Sequence, residues 1–167
     1  TGAEAYGVFS HWQVSGMGAP TEREKVTTNI TGKEATLNIT GASDAHGMYA
    51  SASGDNYIVA GKAKVLVSSE NGNAYGLHAQ NVVTDNGNVG KNTIKSNNVI
   101  VDVSAGTGNA YGMMVDNDYE SPTSNRISAY HGINIITTED GPLTLVIKTA
   151  AGSGGQTYAM FAEPAWG

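Results

Sequence analysis

The phrase Gly72 to Leu77, GNAYGL, recurs thirty-six residues on as Gly108 to Met113, GNAYGM. Looser copies stand at Ala5-Tyr6-Gly7-Val8, Ala45-His46-Gly47-Met48 and Thr157-Tyr158-Ala159-Met160. A phrase that returns five times marks a repeating structural unit, and a repeat constrains the whole fold before any single residue is weighed.

Downstream of the first four copies lies an alternating stretch: ATLNIT from Ala35, KVLVS from Lys64, VIVDVS from Val99 and LTLVIK from Leu143. The apolar pairs Leu37/Ile39, Val65/Val67, Val101/Val103 and Leu143/Leu145 have the period of two expected of a strand with one buried face. An Ile stands seven residues before the first member of each pair, at Ile30, Ile58, Ile94 and Ile136. Each unit therefore reads as strand one on the AYG phrase, a variable connection, strand two carrying the Ile, a tight turn such as Gly32-Lys33 or Gly61-Lys62, and strand three.

Three short strands per unit, at copy spacings of 40, 29, 36 and 47 residues, predict an all-β fold, a right-handed parallel β-helix of about four irregular coils. The coils run approximately over 5–44, 45–73, 74–109 and 110–156, with a partial fifth over 157–167, in one domain. A β-sandwich would also supply short alternating strands, but it gives no reason for a seven-residue step repeated four times.

Stacked coils turn equivalent residues into ladders. Val8, Met48, Leu77, Met113 and Met160 form an expected interior ladder, and strict alternation puts Tyr6, His46, Tyr75, Tyr111 and Tyr158 on the same side. His46 is then a member of a ring stack and not a catalyst. Phe9, Tyr49, His78, Met114 and Phe161 fall on the outward face. No coil can bury enough apolar surface to fold alone, so the ends of the stack require a neighbour; the sequence shows no amphipathic capping helix.

The length variation sits in one connection. From the phrase's first residue to the Ile takes 25, 13, 20 and 26 residues, whereas strand three reaches the next phrase in 8, 9, 9 and 14. Variable loops on one face of a solenoid are where binding is expected. Trp12, Arg23, Tyr49, Asp85, Tyr119 and Arg126 are the candidate ligand-binding residues, a polar and aromatic mix suited to a glycan or a protein. Asp116, Asp118 and Glu120 place three carboxylates within five residues, a hard-oxygen set that Ca²⁺ would accept, although the spacing and Gly of an EF-hand loop are missing. No cofactor is otherwise implied.

Composition narrows the partners. The net charge of −6 with nine Lys and Arg in 167 residues leaves few counter-charges for phosphate, which argues against nucleic acid. No apolar run reaches the roughly 18 residues of a membrane span, so no membrane insertion is expected, and the first residues lack a signal peptide, as in a mature or excised chain. The absence of Cys suits a protein exported unfolded. No Gly-x-Ser-x-Gly, His-Glu-x-x-His or phosphate loop occurs, and Asp102 is a solitary outward acid, so no catalytic residue is assigned and the chain reads as a non-enzyme.

Phrases such as AYGL and AHGMYA followed by TLNITG and VIVDVS resemble the passenger domains of autotransporter adhesins and filamentous-haemagglutinin-like surface proteins. The resemblance implies a secreted module at the bacterial cell surface that serves adhesion or structure and contacts a host-cell or matrix glycan or protein. Two other readings are carried with it: a filament subunit that binds copies of itself end to end, and a polysaccharide-active enzyme.

Overall fold

A computed structural model describes residues 3–10, 27–51, 54–82, 90–118, 133–139 and 141–162. Ten strands account for most of them: β1 Ala5–Ser10, β2 Thr27–Gly41, β3 Ala45–Ala50, β4 Asp55–Ser69, β5 Ala74–Val82, β6 Lys91–Ala105, β7 Ala110–Asp118, β8 Ile133–Thr137, β9 Leu143–Thr149 and β10 Thr157–Ala162. The fold is all-β, with no helix among the described residues.

Successive strands join two parallel sheets in turn. One has the order β1-β3-β5-β7-β10; the other runs β2-β4-β6, with β8 and β9 both pairing β6. The registers place like on like, as the repeat requires. His46 pairs Tyr75, Tyr75 pairs Tyr111, and Tyr111 pairs Tyr158; Ile30, Ile58, Ile94 and Ile136 pair in series, as do Leu37, Val65, Val101 and Leu145. The core between the sheets is built from these rungs: Met48, Leu77 and Met113 from the first sheet, and Ile58, Ile94, Val65, Val101 and Val103 from the second, all buried.

The expected strands two and three are continuous through β2, β4 and β6, each fifteen residues long, and separate only in the last coil, as β8 and β9. The alternation slips once inside the long strands. In β4 the buried positions are Asp55, Asn56, Ile58 and Ala60, then Ala63, Val65, Val67 and Ser69, with Gly61 and Lys62 both exposed between them. Two outward residues in succession shift the alternation by one and bend the ribbon without breaking its ladder.

The first sheet contains a similar slip, and it corrects the sequence-based alternation. Ala45, Ala74 and Ala110 lie in the same core as Met48, Leu77 and Met113. Tyr75 and Tyr111 instead form a separate cluster with Met114, Tyr158 and Phe161. The rings therefore share the outer side with the Phe9 to Phe161 ladder and not the inner side with the Met/Leu ladder. The physical reason is the Gly of the phrase, which the register skips between His46↔Tyr75 and Met48↔Leu77. A Cβ on Gly76 would stand 2.3 Å from the Gly112 carbonyl oxygen, and one on Gly47 would stand 2.4 Å from that of Gly76. Such close backbone approach permits only Gly and reverses the phase of the next residue.

Buried polar residues complete the stack. Asn56 Nδ2 donates to Asn92 Oδ1 at 2.8 Å, and Asn92 Nδ2 to Asn134 Oδ1 at 2.8 Å. The same Nδ2 groups also donate to the carbonyls of His78, Met114 and, from Asn134, Phe161. Thr28 opens the series by donating to Asn56 Oδ1. A second series lies at the turns, where the backbone N–H groups of Asn73, Asn109 and Gln156 donate to Asp44 Oδ1, Asn73 Oδ1 and Asn109 Oδ1 at 2.7 to 2.8 Å. The Asn of GNAYG thus ties each turn to the next.

Two outcomes follow for chemical denaturation. Gly76→Val should cost about 3 kcal/mol or more because backbone must move, whereas Gly32→Ala, whose Cβ would lie 3.6 Å from its nearest neighbour, should be nearly neutral. Asn92→Leu should cost about 2 to 4 kcal/mol by stranding buried partners, while Asn38→Leu on the exposed face should change stability by less than about 0.5 kcal/mol.

Candidate functional site

All four connections that leave the first sheet start at the same edge, because β1, β3, β5 and β7 are parallel and in register. They span residues 11–26, 51–54, 83–90 and 119–132, whereas the returns from the second sheet span only 42–44, 70–73, 106–109 and 150–156. Insertion is concentrated at one edge of one sheet.

The outer face of the first sheet carries a ring stack on the second residue of each strand, at the end away from those connections. Tyr6 and His46 have centroids 4.7 Å apart and planes 10° apart; His46 and Tyr75, 4.5 Å and 10°; Tyr75 and Tyr111, 5.1 Å and 4°; Tyr111 and Tyr158, 5.1 Å and 7°. Three residues further along each strand a second row runs parallel, and Tyr75 stacks on His78 at 4.6 Å across the two rows. The Ala/Tyr/Gly/Leu spacing creates this arrangement, since the Gly corner brings residues three apart to the same side.

The rows meet in a polar cluster. Nδ1 of His46 and Nδ1 of His78 lie 3.3 Å apart, so one must carry the proton and the other accept it. With His46 as donor, His78 carries its proton on Nε2, which is buried without a hydrogen bond and faces Asp116 Oδ2 at 3.8 Å. Tyr49 Oη donates to Gln80 Oε1 at 2.5 Å, and its ring stands edge-on to His78 with centroids 5.0 Å apart. Burial, reinforced by the nearby charge of His78, lowers the pKa of His46 to about 3. Burial and the carboxylates of Asp44 and Asp116 push the Tyr75 phenol up.

Two sequence candidates, Tyr49 and Asp116, converge here with His78 and Gln80, which carried no site assignment. Trp12, Arg23, Asp85, Tyr119, Arg126 and Glu120, and the side chain of Asp118, lie outside the described residues. Among the described residues no group of three or more His, Asp or Glu side chains converges as metal ligands. The buried Asn series also escaped the sequence reading, although its signal was present: Thr28, Asn56, Asn92 and Asn134 each stand two residues before the repeated Ile. Comparison with protein-family models, curated proteins and solved structures gives no match.

The cluster offers a phenol, an amide, an imidazole and a carboxylate to whatever rests on the loop edge. It contains hydrogen-bond donors and acceptors beside rings that are themselves buried: His46, His78, Tyr75 and Tyr111.

The depressed pKa of His46 fixes a sign for acid stability. The folded state holds this group neutral while the unfolded chain protonates it near its ordinary 6.5. The unfolded state therefore binds the extra proton between about pH 6.5 and pH 3, and stability falls as pH falls through that window, by up to about 1.4 kcal/mol per pH unit. His46→Tyr, which restores the residue found on the other rungs, should remove that share of the slope in urea unfolding measured from pH 7 to pH 4. An unchanged slope would assign the acid sensitivity to other groups.

Proposed function

We propose that the two sheets close into a right-handed parallel β-helix with three strands per coil, the long strands β2, β4 and β6 each being two strands joined at their corner. The one-residue slip at Gly61 and Lys62, and the separation of β8 from β9, support that division. Right-handedness follows from the strong preference of parallel crossovers.

On this scaffold the chain acts as a non-enzymatic module of the bacterial cell surface that binds a host-cell or matrix glycan or protein through its loop-bearing edge. One observation carries the reading: the connections of most different length leave a single edge, while the strands themselves pair like on like. A ladder admits little variation, so selection for a ligand has room to act only where the chain leaves it. Tyr49, Gln80, His78 and Asp116 form the floor of that edge, and the loops bearing Trp12, Arg23, Asp85, Tyr119 and Arg126 would supply its walls.

Binding to glycan arrays and to cultured cells tests this directly. Replacing residues 11–26 and 119–132 with connections as short as 51–54 should weaken binding at least about tenfold, or about 1.4 kcal/mol, while leaving the β-sheet circular dichroism unchanged. Equal binding by the trimmed chain, or none by the parent, would contradict the adhesive assignment.

A further inference from the structure

Two histidines lie side by side on the outer face of the first sheet, His46 5% and His78 6% exposed. His46 is sandwiched between Tyr6 and Tyr75, with ring centroids at 4.7 and 4.5 Å, and His78 stacks on Tyr75 at 4.6 Å. Nδ1 of one lies 3.3 Å from Nδ1 of the other. The remaining nitrogen of His78, Nε2, is buried without a hydrogen bond and lies 3.8 Å from Asp116 Oδ2. The three side chains form a row. It starts at His46, near the beginning of β3, and ends at Asp116, near the end of β7, where the connection 119–132 leaves.

Counting protons along the row fixes its resting state. Two neutral imidazoles carry two protons on four nitrogens, and the Nδ1 contact holds one of them. With His78 as its donor, Nε2 of His78 would be a bare lone pair facing a carboxylate. With His46 as donor, that nitrogen carries a proton toward Asp116, so the carboxylate selects this arrangement. The one nitrogen of the pair left neither protonated nor accepting the shared proton is then Nε2 of His46.

A further proton entering there has two places to leave its charge. On His46 the charge would be buried between two phenol rings, an environment that opposes it. If instead the shared proton crosses to His78, the charge arrives beside Asp116. Among the described residues the titratable groups around the pair are Glu4 and Asp44 just before β1 and β3, Tyr6 on β1, Tyr49 on β3, Tyr75 on β5, and Tyr111 and Asp116 on β7. Asp55 of β4, on the second sheet, accepts from Tyr57. Glu4 accepts from Tyr6 and Asp44 from the backbone N–H of Asn73, whereas Asp116 is the carboxylate aimed at a histidine nitrogen.

We propose that His46, His78 and Asp116 form a proton-operated switch, in which one added proton reverses the shared His46–His78 hydrogen bond and turns His78 into an imidazolium paired with Asp116. The step balances: one proton enters at His46 Nε2, one crosses from Nδ1 of His46 to Nδ1 of His78, and only N–H bonds change. His46 is a positioning residue, since it acts on Asp116 only through His78. The switch adds one positive charge at the foot of the connection 119–132, and it stands whether or not a ligand binds that edge.

Nitrogen-15 NMR of the histidine rings, assigned residue by residue, reads the protonation of each nitrogen. At about pH 8 His46 should be the Nδ1–H tautomer and His78 the Nε2–H tautomer. As the pH is lowered, His78 should become an imidazolium while His46 stays neutral and changes to the Nε2–H tautomer at the same midpoint. Asp116→Asn should move that midpoint down by at least about 0.5 pH unit. A role in ring stacking alone would produce no tautomer change at His46. A His46 that charges before His78, one that keeps its Nδ1–H tautomer while His78 charges, or a midpoint unmoved by Asp116→Asn overturns the switch.

Discussion

The structure depends on the axial hydrogen-bond ladder. Each strand satisfies its backbone on its parallel neighbours in the same sheet, and that fixes equivalent positions about 4.8 Å apart. A position in such a stack can hold only a side chain compatible with copies of itself. Aliphatic residues meet the condition by dispersion, rings by stacking, and Asn because one amide both donates and accepts. A buried run of Asp or Lys would repel itself, and among the described residues the interior ladders contain no such run.

The same condition explains the glycines and the unusual rungs. Gly47, Gly76 and Gly112 occupy the point where successive backbones come too close for a Cβ, and the phase reversal they allow puts the aromatic rows outside the core. His46 and His78 are departures within rows otherwise aromatic or apolar. Placed side by side, they keep the ring stacking and add an Nδ1 to Nδ1 contact to it, which makes the row acid-sensitive at His46. His46 stands at the start of its strand, whereas Tyr49, His78 and Asp116 lie further along theirs, toward the connections that vary in length.

The five-fold phrase and the seven-residue step from Ile were enough to read the parallel register of the first three units, but in the last the step fails: Leu145 and not Leu143 pairs Val101, because β8 and β9 are separate strands. The alternation within strand one was not readable from period two, since a Gly that bends the chain flips the faces of Tyr75 and Leu77 relative to each other. Strands two and three merged for a related reason: Gly61 and Lys62 look like a turn in sequence, yet the register skips only Gly61 and resumes in step at Lys62. Asn56 and Asn92 were passed over because Asn in a turn-rich sequence suggests a loop, and only the stacking of one Asn on another makes burial favourable. Of the candidate site, Tyr49 and Asp116 were found through their place just after the phrase, while His78 and Gln80 gained meaning only from the side chains beside them.

Proton exchange of the asparagine side-chain amides, followed by NMR, measures the ladder at its least forgiving point. If the coils stack in this register, the Nδ2 protons of Asn56 and Asn92 are sealed between rungs and should exchange only on the timescale of global unfolding, while those of Asn29 and Asn38 on the exposed face exchange freely. Exchange of Asn56 and Asn92 as fast as that of Asn29 and Asn38 would mean that the buried series does not form, and with it the register on which the fold, the ring stack and the loop-bearing edge depend.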